Sequence, residues 1–530
     1  MSKPGAFVGR ERESTGKLAF LVAAGILLSR IIGLVRLRVF SHYFGLRSDA
    51  ADAFNAAFRI PNFLQNLFGE GVLSASFIPV YARLLAEGED EEAGKVAGAV
   101  GATLALAVAV LCLAGVLATP WLIDIIAPGF SGSKRDLTIS LVRILFPGAG
   151  LLVFSAWCLG ILNSHRKLFL SYSAPVMWSA AMIATLVIFG GRSSLSQLAM
   201  TLAWGSVAGS ALQFGIQLPV VLRLATHLRM RLDLNSEHVR VVLRNFAPVF
   251  VSRGVVQISA YIDALLASLL PTGAVTGLIN AQLIYVLPVS LFGMSVSAAE
   301  LPVMSSATGS AEEIKTALRL RLDSGLRHIA FFIVPSAAAF LAFGDLIAGA
   351  LLQTGRFTHA DAQYVWGILA GSSVGLLAST MGRLYSSAYY ALRDTRTPLK
   401  FAVLRVALTT VLGYICAKPL PLWIGIDPRW GVAGLTASAG VAGWVEFALL
   451  RRGLHGRLGA GPSISGFVAK LWLAAALAVV IGSAGRLLPY PSHPIYGAIA
   501  TLAPFSAVYL LVGAAIAPEG RRLVMRLLRH

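Results

Sequence analysis

LAFLVAAGILLSRIIGLVRLRVFSHYF, residues 18–44, decides the fold. The run is long enough to cross a hydrocarbon core of about 30 Å as a helix. Yet Arg30, Arg36 and Arg38 interrupt it. A cation at the bilayer centre costs about 2.5–3.5 kcal/mol even on the most lenient scale, so it persists only where it faces protein or a wet cavity. The same anomaly recurs with Arg59 in the apolar run that begins at Ala50, with Arg253 in 241–270 and with Arg383 in 361–391. These runs hold too few acids to neutralise six arginines. The simplest account is a water-filled central cavity kept positive for an anionic substrate.

Working outward, a hydrophobic fraction of 56% with only 13% charged residues excludes an ordinary soluble protein. Mean hydropathy, at +0.74, says the same. Apolar segments lie near 18–44, 50–86, 94–126, 137–163, 170–190, 196–222 and 241–270. They continue at 275–306, 326–353, 361–391, 398–417, 431–450, 466–488 and 495–517. The expected architecture is an all-α polytopic membrane protein of about fourteen transmembrane helices, with no room for a folded soluble domain.

The net charge of +19 follows topology. With the amino terminus inside, 28 of the 44 Lys and Arg fall in inner segments and 8 in outer ones. That bias places both termini in the cytoplasm and argues against nucleic acid as a partner. The head, 1–17, reads as a cytoplasmic tail, and 518–530 as a basic tail whose arginines mark an amphipathic helix on the inner leaflet. Cys112, Cys158 and Cys416 fall in apolar segments without paired spacing, so neither a disulfide framework nor a metal site is indicated.

The chain also repeats itself. Ser29-Arg30 returns as Ser252-Arg253, and LFGEGVLSASFIPV from Leu67 returns as LFGMSVSAAELPV from Leu291, with Pro79 matching Pro302. The shift of 223 residues spans six expected helices, an even number, so both copies share one orientation. Two lobes follow, 18–222 (helices one to six) and 241–450 (helices seven to twelve), around a central cavity. Two extra helices, 466–517, have no counterpart. Transporters built this way place substrate at the interface of the halves.

Depth and recurrence rank the charged residues. Arg30, Arg36 and Arg253 are the leading candidates for substrate binding, with Arg59 and Arg383 behind them. Arg38, Arg143 and Arg405 lie near span ends and read as snorkelling cations. Asp263, ten residues beyond Arg253, is either a coupling-cation or proton site or a buried partner for an arginine. Glu300 and Glu446 read as solvated acids at inner span ends. Gly33, between Arg30 and Arg36, is the candidate hinge, the alternative being close helix packing. No catalytic constellation, metal-ligand spacing or P-loop lysine is present, so the chain reads as a transporter that does not hydrolyse ATP itself. The expectation is no cofactor, with coupling to Na+, H+ or the membrane potential.

Ser29-Arg30-Ile31-Ile32-Gly33-Leu34-Val35-Arg36, Asp52-Ala53-Phe54 and Phe58-Arg59-Ile60-Pro61-Asn62 resemble the MurJ (MviN) lipid II flippases. Glu70-Gly71, Phe77-Ile78-Pro79-Val80, Ala127-Pro128-Gly129-Phe130 and Asp394-Thr395-Arg396-Thr397-Pro398 extend the resemblance along the chain. It implies a bacterial inner-membrane flippase of the multidrug/oligosaccharidyl-lipid/polysaccharide exporter superfamily, moving undecaprenyl-diphosphate-linked peptidoglycan precursor outward by alternating access. It further implies essential arginines in segment one, matching Arg30 and Arg36, and a cation at Arg383. The last two helices become a groove for the polyprenyl tail, with cell-wall synthesis proteins as partners. The chain departs from the family at Leu37, Gln65, Leu283 and Val286, where charged residues are usual. Arg253 and Arg59 are the expected replacements. Another polyprenyl-linked saccharide, or a drug exported against a cation, are the alternative substrates.

Overall fold

Residues 25, 27–68, 70–233, 235–306, 310–459, 464–487 and 493–516 are described by the computed structural model; the two tail assignments lie outside them. Among these residues the chain is helical, with no strand and a single isolated bridge between Thr354 and Phe357.

Two compact units divide the chain, 1–261 and 262–530. In the first, α1 (27–44) leads into α2 (Asp49–Phe68), α3 (Glu70–Ser76) and α4 (Ile78–Glu87). The long helices α5 (Asp90–Ile126) and α6 (Gly132–Ser164) follow, then α7 (Leu168–Ser173), α8 (Pro175–Phe189), α9 (Leu195–Leu224) and α10 (Glu237–Ser268). The second unit takes in the end of α10, then α11 (Ala274–Pro288), a π-helical stretch (Val289–Met294) and α12 (Ser295–Ser305). Its long helices are α13 (Ala311–Leu352) and α14 (His359–Ala391), followed by α15 (Arg396–Ala417), α16 (Pro419–Trp423) and α17 (Gly431–Leu458). The chain ends with α18 (Ser465–Ser483) and α19 (Pro494–Ile516).

Among the described residues, eleven helices are long and apolar enough to cross a membrane. The other three expected segments depart from a plain span for identifiable reasons. Segment one begins outside the described residues. Segment two is interrupted at Phe77, between α3 and α4 and just before Pro79. Segment seven is the continuous helix α10, whose hydropathy is diluted by Arg240, Arg244, Arg253 and Asp263.

Helix starts follow local chemistry. Ser194 with Gln197, Ser310 with Glu313 and Thr358 with Asp361 form reciprocal capping boxes that satisfy the first amides of α9, α13 and α14. Each unit is organised around one central helix. The apolar window of α6 is 78% buried, against α2, α5 and α9; that of α14 is 61% buried, against α11, α13 and α17. α18 and α19 pack on each other and on α13.

The two central helices also end alike. Both are 33 residues long, and each stops at an arginine in the left-handed region, Arg166 (φ 57°) and Arg393 (φ 59°). In both, the next amide reaches back to close the turn: Lys167 N to Leu162 O at 2.8 Å and Asp394 N to Tyr389 O at 2.9 Å. After α14 the turn is locked further. The Asp394 carboxylate accepts from the Thr397 hydroxyl and amide and pairs with Arg457 at 2.7 Å. The Thr397 bonds, helped by Arg457, hold its pKa down to about 2.

Candidate functional site

In unit 1, Arg36 of α1 meets α8. The Arg36 guanidinium lies over the Trp178 indole, its Cζ 4.3 Å from the ring centroid, with Nη1 3.5 Å from the Met182 sulfur. Trp178 is held in turn. Its other contacts are a stack on Phe58 (5.5 Å, 17°) and an Nε1 hydrogen bond to Ser206 Oγ at 3.1 Å. A Cβ on Gly209 would sit 3.0 Å from the Trp178 Cα, so glycine there lets α9 come up against the indole's backbone. Behind Phe58 the rings continue through Phe54 and Phe40 to Phe44, tying α1 to α2.

No carboxylate pairs with Arg36 among the described residues; its neighbours are a π face and a thioether. Arg30 is exposed on α1, and Arg383 is exposed on α14 in unit 2, neither with an acid beside it among the described residues. Other cations of the helices differ. Arg405 Nη1 meets Glu446 Oε2 at 3.0 Å, Arg327 meets Asp323 at 2.8 Å and Arg486 meets Asp345 at 2.8 Å. This sorting into paired and unpaired cations is what marks the site. A guanidinium without an acid in an apolar segment is an unfilled demand for an anion.

Arg59 is half-buried on α2, and its carbonyl accepts the Tyr261 hydroxyl. Arg253 lies on α10, but its side chain is outside the described residues, as is that of Gln65. Asp263 is half-buried near the end of α10. On α14, Ser379 stands one turn before Arg383 and meets the Tyr285 hydroxyl at 3.0 Å. Leu283 and Val286 are about two-fifths exposed on α11, 41% and 43%, so the departures from the family pattern face outward from unit 2 rather than into its core.

Two sequence expectations are corrected. Arg405 does not snorkel away from the protein: Glu446, 14% exposed, is its partner, and both ends of the pair need each other. Glu300 is not simply solvated, because its Oε2 is buried without a hydrogen-bond partner. Trp178 was missed altogether. A tryptophan in an apolar segment is unremarkable in sequence, and only the packing of α8 on α9 puts it under Arg36.

Two variants probe this geometry. α1 runs unbroken through Gly33, and a Cβ there would meet nothing within 4 Å. Tight packing therefore does not explain the glycine. Gly33→Ala should raise the melting temperature, since alanine favours helix by about 0.5–1 kcal/mol, and slow transport. Unchanged flux would mean that α1 does not bend there. For the cradle, Trp178→Phe keeps a ring under Arg36 and should retain most activity. Trp178→Ala removes a contact worth about 0.5–2 kcal/mol and leaves a hole, and should lower flux several-fold. Flux in proteoliposomes, measured beside melting temperature, separates loss of Arg36 positioning from loss of fold.

Among the described residues, no group of three His, Cys, Asp or Glu is placed to hold a metal ion. Comparison with known proteins agrees with the sequence resemblance. The family described as "Lipid II flippase MurJ" matches residues 40–492. The lipid II flippase MurJ of Burkholderia cenocepacia is 30% identical over 446 residues, covering 83% of this chain and 84% of that protein. A probable lipid II flippase MurJ of Bdellovibrio bacteriovorus is 29% identical over 502 residues, 93% of this chain and 91% of that one. In fold, the chain is similar to a lipid II flippase MurJ solved in an inward closed conformation (TM-score 0.75, 22% identity, 95% of this chain and all of that one). An inward-facing multidrug MATE transporter is more distant (TM-score 0.63, 19% identity, 81% of this chain and 95% of that one).

Proposed function

The chain belongs to the lipid II flippase MurJ family, and from that membership we propose that it carries undecaprenyl-diphosphate-linked peptidoglycan precursor from the inner to the outer leaflet by alternating access. It is a multi-pass membrane transporter and not an enzyme. The observation that carries the site assignment is Arg36. Stacking on Trp178 covers one face of its guanidinium and leaves the in-plane N–H groups to form paired hydrogen bonds with a diphosphate. Arg30, Arg59 and Arg253 supply further positive potential in unit 1, and Arg383 is the candidate cation of unit 2. A diphosphate needs that potential more than one fixed set of donors, which accommodates the uncharged Leu283 and Val286. The saccharide beyond the diphosphate is the part left to other residues, so another polyprenyl-diphosphate saccharide is the alternative cargo.

Asp263, an acid within the membrane-depth part of α10, is proposed for the coupling role toward a Na+ ion or proton, with the membrane potential acting on the same charge. The positive-inside bias places both termini in the cytoplasm of the bacterial inner membrane. There the precursor's fate makes cell-wall synthesis proteins its partners, and 466–517 serves the polyprenyl tail.

The test is rescue. A bacterium depleted of its own lipid II flippase should grow normally with this gene and display newly labelled precursor on the outer face. Verified membrane insertion without rescue would reassign the cargo to another polyprenyl-linked saccharide.

A further inference from the structure

Unit 2 holds a polar cavity away from these cations. It is a small recess, open on one side, lying where α13 begins and α14 and α17 end. Leucines of α13 and α17 form its walls, and Arg319, Asp323, Tyr385 and His455 line it. Tyr385 follows Arg383 by two residues, about 200° round α14, so the cavity opens on the other side of that helix.

Two atoms in it are out of place. Arg319 Nε and Asp323 Oδ1 are buried, and neither has a hydrogen-bond partner. Buried polar groups are nearly always satisfied, so an orphan donor and an orphan acceptor on one wall mark a missing group. Both side chains are also held in place. Asp323 gives its other oxygen to Arg327 Nε at 2.8 Å, and Arg327 lies 5.1 Å over the Phe467 ring. Arg319 packs against Gly459 (φ 83°), where a Cβ would fall 2.4 Å from Nη2.

The missing group must accept from a guanidinium and donate to a carboxylate within a few ångströms. Position narrows the choice. Arg451 and Arg452 near the end of α17, with Arg393 after α14 and Arg396 at the start of α15, make this end of unit 2 basic, as suits the surface of an anionic inner leaflet. Leu320, beside Arg319, is 68% exposed and offers an apolar surface next to the opening. We propose that the cavity seats the phosphodiester head group of a membrane phospholipid, its phosphate on Arg319 and its own N–H or O–H donor on Asp323. Ethanolamine and glycerol head groups both supply that donor. Choline, which has neither N–H nor O–H, does not.

Native mass spectrometry of the full chain, titrated separately with phosphatidylethanolamine, phosphatidylglycerol and phosphatidylcholine, tests this. One charge-assisted hydrogen bond corresponds to about ten-fold in retention. At least one of the first two lipids should therefore be retained about ten-fold better than phosphatidylcholine. Arg319→Gln should remove that retention, and Asp323→Asn should reduce the discrimination against choline. Should Arg319→Gln fail to fold, Gly459→Ala displaces the same guanidinium and should give the same loss. Equal retention of phosphatidylcholine overturns the proposal, as does retention untouched in both variants. Displacement of the lipid by millimolar inorganic phosphate would also overturn it, in favour of a soluble anion. None of these readouts depends on what the protein transports.

Discussion

Arg36→Ala should abolish rescue of a flippase-depleted host while membrane levels of the protein stay normal. Its surroundings are a tryptophan face and a thioether, with no acid paired to it among the described residues. A charge-assisted bond to phosphate contributes about 1.5–3 kcal/mol, and Arg36 can form two, so flux should fall at least ten- to a hundred-fold. Arg36→Lys should keep part of the activity, because a point charge still draws diphosphate but loses the fork. Arg36→Met is the sharper control. It fills the space over Trp178 without charge and should be as inactive as alanine. An active Arg36→Met protein would reduce Arg36 to packing, and the diphosphate assignment would fall with it.

Asp52→Ala should produce the largest loss of stability among single changes outside the cationic site. Asp52 is 1% exposed in the first turn of α2, and its carboxylate meets Lys134 Nζ at 2.9 Å. Lys134, 12% exposed, also lies over the Phe130 ring at 4.4 Å. Breaking a buried pair costs up to about 3–5 kcal/mol, of which the remaining Asp49 contact offsets a part. Asp49, the second acid on Lys134 at 3.2 Å, is 60% exposed, so Asp49→Ala should cost no more than about 1 kcal/mol. Replacing the pair together, as Asp52→Leu with Lys134→Met, should recover much of the loss. Melting temperatures in detergent read all four variants. Equal shifts for Asp49→Ala and Asp52→Ala would show that burial is not what gives the pair its weight.

Sequence reading located the anomalous cations because charge in an apolar run is visible one residue at a time. It could not say which of them had partners. Arg405 and Arg36 look alike in the chain, but α17 brings Glu446 to the first while α8 brings Trp178 to the second. Partner choice is a tertiary fact, carried by helices far apart in sequence. The break in the second segment was legible at Pro79, and the disturbance of the eighth at Pro288 and Gly293, because those residues weaken the helical ladder wherever they occur. The repeat was legible for the same local reason. The matching left-handed ends at Arg166 and Arg393 were not, since arginine carries no signal for that conformation.

The stretch Val289–Met294 changes how the eighth segment must be read. A π turn takes up one residue more than an α turn, so side chains beyond it are set about 100° from where an uninterrupted helix would put them. A helical wheel drawn across 275–306 therefore misassigns every face after Met294. Glu300 is one example: its Cγ lies 3.6 Å from where a Cβ on Gly325 of α13 would stand. The two copies of the repeat differ by one residue in this same region, fourteen from Leu67 to Val80 against thirteen from Leu291 to Val303. A single added or lost hydrogen-bonded turn here would rotate α12 against α11 as a ratchet turns by one tooth, without unwinding either helix.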